Sequence, residues 1–491
     1  MHAACQTRDL ATSLSHRARL SRRTLIVASR LLTYLQRCYR LGFGLLLTCG
    51  LLVGALAGGC TPQVRDQKSV IVIVIDTLRR DKLGIYGNTR GLTPQLDALA
   101  SEALVCDDAW AHAPWTLPST ASLLSGVLPQ RHGAGGDVSS GFRAVREDTP
   151  LLAEQFRAHG WRTGLIANVD FLGPAFGLTR GFEHVDALGS RDNHTPRTAT
   201  RTTQDALRFV EGCGDQPFFL VLHYFDVHAE YEPPQPWRAR FADPRDAAER
   251  TQPMGSREQV VARRFQGATL DADLLGRMER LYDAEVAYVD DAIGAFWRGL
   301  PEQVRATCTL VVTSDHGEEF GEHGDWEHGH THHPEVLRVP LFLRAPDLSP
   351  RRETALVGHV DVARTLLARA GLNEKRARDG QRLDTAPLPS KTQHHTAFGR
   401  FWGPATTSLR SESYAVHRRA SPQAPLLYER PTDAWEAQPV RNEARLQGAL
   451  VTLAAWEAEQ ELLPAKQGPT PRMDASTKQR LDGVGYVEAP R

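Results

Sequence analysis

The chain has no CxxC pair, no internal repeat and no basic stripe, and each absence closes off a class of function. Its seven cysteines, Cys5, Cys38, Cys49, Cys60, Cys106, Cys213 and Cys308, are too dispersed for a zinc ribbon or a thioredoxin-type pair. Without a repeat there is no solenoid or propeller. Net charge is zero, from 58 basic and 58 acidic residues, but it is unevenly spread. Residues 1–59 hold eight Arg, no Lys and one acid, Asp9, a net +7, so the remainder carries −7. A mildly acidic body without a basic face argues against nucleic acid as a partner. What is present is 491 residues with 41% hydrophobic content, enough for one large α/β domain and a smaller appendage.

Residues 41–60 are apolar and uncharged, follow several arginines and end in small residues before Cys60. This is the pattern of a bacterial lipoprotein signal with Cys60 as the lipidated residue; an uncleaved membrane-spanning anchor is the alternative. Either way the body is expected outside the cytoplasm, as a membrane-anchored lipoprotein of a bacterial envelope facing the periplasm or exterior. With Cys60 lipidated, Cys106, Cys213 and Cys308 are expected as small buried hydrophobes.

Two segments carry the chemistry. Ser69-Val70-Ile71-Val72-Ile73-Val74-Ile75 is an unbroken apolar run that stops on Asp76, as a central parallel strand does. Thr309-Leu310-Val311-Val312-Thr313-Ser314 is built the same way and runs into Asp315-His316-Gly317. Ligands bind at the carboxyl ends of strands in open α/β sheets, so Asp76, Asp315 and His316 form a candidate metal corner. A third buried strand, residues 216–223, leads to Asp226 and His228. Between them, Ala113-Pro114-Trp115-Thr116-Leu117-Pro118-Ser119 reads as a loop entering a helix N-terminus, where free amides favour an anion. Thr116 or Ser119 is there either a reactive hydroxyl or simply the helix cap.

The remaining pattern divides the chain into a leader (1–59), a linker (60–68), a catalytic domain (69–374), a C-terminal α+β subdomain (375–463) and a mobile tail (464–491). Thr93 with Pro94 marks a capped helix start. Residues 235–275 read as a polar, irregular excursion, and 275–296 as a long amphipathic helix. The histidine-rich stretch His323, His328, His330, His332 and His333 offers a leaving-group acid or, with Asp226, a second metal; His332 and His333 are expected to be solvated.

These residues resemble the sulfatase family of the alkaline phosphatase superfamily, over residues 69–440. The matching pieces are Ile75-Asp76-Thr77-Leu78-Arg79, Thr93-Pro94-Gln95-Leu96-Asp97, Leu117-Pro118-Ser119-Thr120-Ala121, His228-Ala229-Glu230-Tyr231-Glu232-Pro233 and Thr313-Ser314-Asp315-His316-Gly317-Glu318, with Val339-Pro340-Leu341 and Asp379-Gly380-Gln381-Arg382-Leu383 following in order. The resemblance implies an α/β fold with a central mixed sheet flanked by helices. It also implies a divalent cation held by Asp76, Asp315 and His316, and His228 and His328 beside the ester's oxygens or leaving group. Thr116 falls where the family has the cysteine that becomes formylglycine; threonine cannot be so converted, and no formylglycine is expected. The family's following arginine is Thr120 here, and its lysine-containing segment is Ala167-Asn168-Val169-Asp170.

The expected activity is therefore metal-dependent hydrolysis or phospho-group transfer on phosphate or sulfate esters, with Thr116 as nucleophile. Zn or Mn suits the donor set better than Ca. Second-metal or leaving-group roles fall to Asp226 and His330. The substrate is a small, glycan-borne or lipid-borne anionic ester. A conventional sulfate-ester hydrolase and a catalytically silent anion- or glycan-binding lipoprotein are the alternatives.

Overall fold

The alternation of Val and Ile in the first strand is sorted by the fold onto two faces. In the computed structural model, which describes residues 68–187, 197–248, 254–372, 378–385, 388, 395–462 and 465–483, Val70, Val72 and Val74 enter one hydrophobic cluster and Ile71, Ile73 and Ile75 the other. Successive side chains of a strand point to opposite faces, so an all-apolar run needs cover on both. The leader, Cys60 and all but the last linker residue lie outside the described residues. Among the described residues no helix is long and apolar enough to cross a membrane.

The eight strands of the main sheet are β1 (Val70–Ile75), β2 (Leu104–Trp110), β3 (Arg162–Ile166), β4 (His184–Asp186), β5 (Phe218–Tyr224), β6 (Thr309–Ser314), β7 (Leu341–Arg344) and β8 (Arg351–Gly358), in the order β8-β2-β7-β6-β1-β5-β3-β4. β1 is central and pairs in parallel with β5 and β6. β7 runs antiparallel to both its neighbours, which makes the sheet mixed. On the Val face lie α2 (Thr116–Ser125) and α6 (His359–Arg369), through Leu117, Leu123, Val362 and Leu366. On the Ile face lies the 28-residue helix α5 (Ala272–Gly299), through Leu281, Val289 and Phe296.

Local readings hold where burial follows pattern and fail where a distant side chain intervenes. Thr93 does not cap α1 (Pro94–Ser101). Asp290 of α5 does so from outside, accepting from the amides of Gln95 at 3.0 Å and Leu96 at 2.8 Å, a carboxylate at the positive helix end. The stretch expected to be irregular contains α4 (Arg257–Gln266), which has a Ser256–Gln259 capping box. Cys106, Cys213 and Cys308 are buried free thiols, as expected.

The C-terminal part forms a four-stranded antiparallel sheet, β9 (His395–Phe398), β10 (Thr406–Arg410), β11 (Tyr414–Arg419) and β12 (Leu426–Glu429). Helix α7 (Glu443–Glu459) packs Ala449 and Leu453 on Leu409, Val416 and Leu427. β10 escapes a hydrophobicity reading because its sequence is Thr-Thr-Ser-Leu-Arg although all five positions are buried. Arg410 can be buried because Glu436 accepts from its Nε at 2.8 Å and its Nη2 at 2.8 Å. Residues 465–483 of the expected tail contact the main body. Backbone amides of Lys466 and Gly468 donate to Gln130 and Gly133 at 2.7 and 2.9 Å, and Arg480 of α8 (Ala475–Gly483) pairs with Asp170 at 2.7 Å.

His332 and His333 are buried rather than solvated, because the small sheet covers them. His332 contacts Ser408 Oγ at 3.0 Å, and His333 stacks on His323 with ring centroids 3.6 Å apart. His323 joins Glu335 Oε1 at 2.7 Å to the Glu436 carbonyl at 3.0 Å. Burial alone would lower the His323 pKa, but the hydrogen bond and charge of Glu335 outweigh it and raise it from 6.5 to about 9. A folded value above the unfolded one means that this contribution to stability is complete below about pH 6.5 and is lost as pH rises through about 9. Urea titrations between pH 6 and 10 are expected to show a fall in stability over that window that is missing in His323→Gln; equal pH slopes in the two proteins would refute the pairing.

Candidate active site

Parallel pairing of Ile75 with Ser314 brings the two strand-end acids to one place. Asp315 Oδ1 accepts from the amides of Thr77 at 3.3 Å and His316 at 2.9 Å, and among the described residues Oδ2 makes no hydrogen bond. Thr77 delivers its amide by taking φ of 53°, a costly conformation for a β-branched residue. The Tyr282 hydroxyl secures that turn by donating to the Thr77 carbonyl at 2.8 Å.

His316 Nδ1 donates to the Gly317 carbonyl at 3.0 Å, which leaves the ring's lone pair on Nε2. That atom lies 3.4 Å from Asp315 Oδ2 and 3.7 Å from Asp76 Oδ1. It is also 3.3 Å from Thr116 Oγ1. Among the described residues neither Asp76 oxygen makes a hydrogen bond of ordinary geometry, and Asp76, Thr116, Asp315 and His316 are all 0% exposed. Buried carboxylates and a lone pair turned towards each other repel, and a cation among them relieves this. One ligand atom from each of Asp76, Asp315 and His316 lies within 4.8 Å of the others. These residues fit a divalent cation.

The two acids are electrostatically unequal. Burial would raise Asp76, but His223, His228 and His316 hold it below the usual carboxylate range. Burial, with the Asp76 charge beside it, raises Asp315 to about 6.

Thr116 is the first residue of α2, whose N-cap position is Trp115. Its hydroxyl is therefore not the helix cap. Ser119, one turn on, ties α2 to the metal loop, donating to the Asp315 carbonyl at 2.5 Å and lying 3.2 Å from His359 Nδ1. The hydroxyl of Thr116 thus stands at a helix N-terminus, where amides and dipole stabilise negative charge.

His228 and His328 complete the wall. The His228 ring stacks on Phe225 at 4.6 Å and its Nδ1 donates to the Ala229 carbonyl. The His328 ring lies 4.4 Å from that of His316 and 5.0 Å from that of His228. Glu318 Oε1 lies 2.9 Å from His328 Nδ1, and its Oε2 accepts from the Tyr231 hydroxyl at 3.1 Å. Burial lowers His228 to about 4 and drives His328 well below its ordinary value, so both rings are neutral near pH 7.

Two expected residues go elsewhere. Asp226 Oδ1 accepts from the Ala199 amide at 2.7 Å at the start of α3 (Ala199–Cys213), and burial raises its carboxyl to about 7. His330 Nε2 is held by Glu319 at 2.9 Å, with its ring 4.3 Å from that of Trp402. Among the described residues neither belongs to a group of three potential ligands, whereas His333 does, with His417 and Glu436. Sequence reasoning missed His223, whose Nε2 lies 3.3 Å from Asp76 Oδ2. Its signal was the one imidazole in the otherwise apolar Phe-Phe-Leu-Val-Leu-His-Tyr of β5. It also missed Arg264 of α4, which pairs with Glu327 at 2.9 Å and lies over the Phe401 ring at 4.9 Å.

Residues 68–372 match the family model described as sulfatase. The chain belongs to the sulfatase family. Over 376 residues it is 23% identical to the uncharacterized sulfatase YidJ of Escherichia coli K12, covering 67% of this chain and 75% of that one. It is 25% identical over 427 residues to the multifunctional alkaline phosphatase superfamily protein PehA of Trinickia caryophylli, covering 68% and 80%. The fold is shared with the phosphonate monoester hydrolase of Silicibacter pomeroyi, with a TM-score of 0.64 and 21% identity over 81% of this chain and 95% of that one. The protein is thus an ester hydrolase of sulfate or phosphate esters, in a family whose members depend on metal.

Asp315→Asn removes half the carboxylate charge of the cradle while keeping its shape. Elemental analysis after dialysis against Mn or Zn is expected to find stoichiometric metal in the wild type and little in this variant; equal contents would place the cation elsewhere.

Proposed function

We propose that this sulfatase-family protein is a divalent-cation-dependent hydrolase or phospho-group transferase that acts on phosphate monoesters or diesters through Thr116. The observation that carries the reading is the position of the Thr116 hydroxyl, at the head of α2 and 3.3 Å from His316 Nε2. A threonine at the place of the family's convertible cysteine points away from formylglycine chemistry and towards a hydroxyl nucleophile. The named activity of the phosphonate monoester hydrolase and the superfamily breadth of PehA are in keeping with a phosphorus ester.

A divalent cation held by Asp76, Asp315 and His316 would lower the hydroxyl's pKa and offset charge on the ester oxygens. The chain's own residues do the rest. Amides at the N-terminus of α2 orient the anionic group. The Thr116 hydroxyl gives its proton to a non-bridging oxygen of the ester, and its oxygen bonds to phosphorus as the bond from phosphorus to the alcohol oxygen breaks. That alcohol oxygen takes up a proton through His328: Glu318, whose carboxyl burial holds well above the usual range, gives one to Nδ1 as the opposite ring nitrogen releases one, and the entering water or alcohol later returns it by the same route. Water, or an acceptor alcohol, then displaces Thr116 and returns its oxygen to the hydroxyl form. The neutral His228 and His328 rings place hydrogen-bonding nitrogens beside the reacting group without competing for the cation's charge.

The leader pattern supports a body held outside the cytoplasm through Cys60, with a lipid-borne or glycan-borne ester within reach. A sulfate ester is the second reading, favoured by the relatives' sulfatase names. Purified protein assayed with aryl phosphate, aryl phosphodiester and aryl sulfate, with and without chelator, separates them. Phosphorus-ester turnover that chelation abolishes is expected, with Thr116→Ala slower by roughly 10³-fold or more. Mass spectrometry of the quenched reaction is expected to find phosphate on the peptide bearing Thr116. Full turnover by Thr116→Ala would refute the nucleophile, and no turnover on any ester would favour a silent binding protein.

A further inference from the structure

Asp76 stands between two imidazoles. Its Oδ1 lies 3.7 Å from His316 Nε2 and its Oδ2 lies 3.3 Å from His223 Nε2, and all three side chains are fully buried. His316 belongs to the cation cradle. His223 does not, for the mutually close ligand group comprises Asp76, Asp315 and His316 without it. It approaches Asp76 at the carboxylate oxygen other than the one nearest His316.

The position is a costly one for a histidine. β5 is buried along its whole length, flanked by β1 and β3, and neither His223 nitrogen makes an aligned hydrogen bond among the described residues. A buried polar group left unpaired is costly, and a leucine or valine would carry no such cost. What offsets it is the Asp76 carboxylate, which the imidazole faces at 3.3 Å.

We propose that His223 is a positioning residue for the cation site: its Nε2–H holds Asp76 Oδ2, so that Oδ1 alone is offered to a cation beside Asp315, His316 and Thr116. The 3.3 Å separation is within reach of such a bond. The inference rests on the cation reading above and adds a consequence for selectivity. A carboxylate pinned through one oxygen binds through the other in a fixed direction, which suits Zn or Mn. A carboxylate free to swing can bind through both, which suits the larger Ca.

The test is titration of the metal-stripped full chain with MnCl₂, ZnCl₂ and CaCl₂ by calorimetry, in the wild type, His223→Ala, His223→Gln and His223→Asn. Loss of such a supporting hydrogen bond lowers metal affinity by about 10–100-fold, and that loss is expected for Mn and Zn in His223→Ala, with a smaller loss for Ca. The Gln amide nitrogen stands where Nε2 does, so His223→Gln is expected to recover most of the affinity. The Asn amide is too short to reach and should behave as Ala. The Gln and Asn variants differ by one methylene, so their contrast survives even if the Ala variant folds poorly. Wild-type affinity in His223→Ala, or a Gln variant no better than Asn, would overturn the inference and leave the cation site standing. A wild type that takes up none of the three cations would overturn the cation reading itself.

Discussion

Ile75 pairs with both Tyr224 and Ser314 across parallel ladders, and the site depends on that register. It delivers Asp76 and Asp315 side by side into a place with no water-exposed surface, where two negative charges cannot stand uncompensated. The tautomer of His316, fixed by the Gly317 carbonyl, adds a lone pair to the same spot instead of a proton. Thr77 is held in a left-handed conformation so that its amide can restrain one oxygen of Asp315. Each feature is unfavourable in isolation; together they describe a cradle for a positive ion.

The Thr116 hydroxyl reaches that cradle by a separate route. Helix α2 lies on the Val face of the sheet and is buried at every position, so its N-terminus is placed by core packing. Ser119 adds a direct tie to the Asp315 carbonyl, which couples the place of the hydroxyl to that of the carboxylate. The small C-terminal sheet serves the same end from the other side. It buries His332 and His333 and meets the histidine-rich loop at Glu436, and Trp402 Nε1 donates to the His328 carbonyl at 2.7 Å.

The sheet was legible in the sequence because its central strands are continuous β-branched runs, and such runs have few alternatives to a buried parallel strand. Asp76, Asp315 and His316 were legible for the same reason: each follows a strand whose end is unmistakable. What could not be read was anything decided by a partner far along the chain. Asp290 replaces Thr93 as a helix cap from 194 residues away at Leu96. Arg410 is buried because Glu436 meets it, and without that knowledge β10 reads as a polar turn. Asp226 appeared catalytic because it lies two residues from His228, yet its carboxylate is turned to the N-terminus of α3. His223 was hidden inside a strand, where one imidazole among apolar residues carries no local signal of what it faces.

The central claim is that β1, β6 and α2 converge on a single bound cation. It is tested most directly by anomalous diffraction at the manganese edge from crystals grown with that metal. One strong peak is expected within bonding distance of Asp76, Asp315 and His316 and adjacent to Thr116 Oγ1. A peak elsewhere, or these four side chains turned to different faces, would contradict the account.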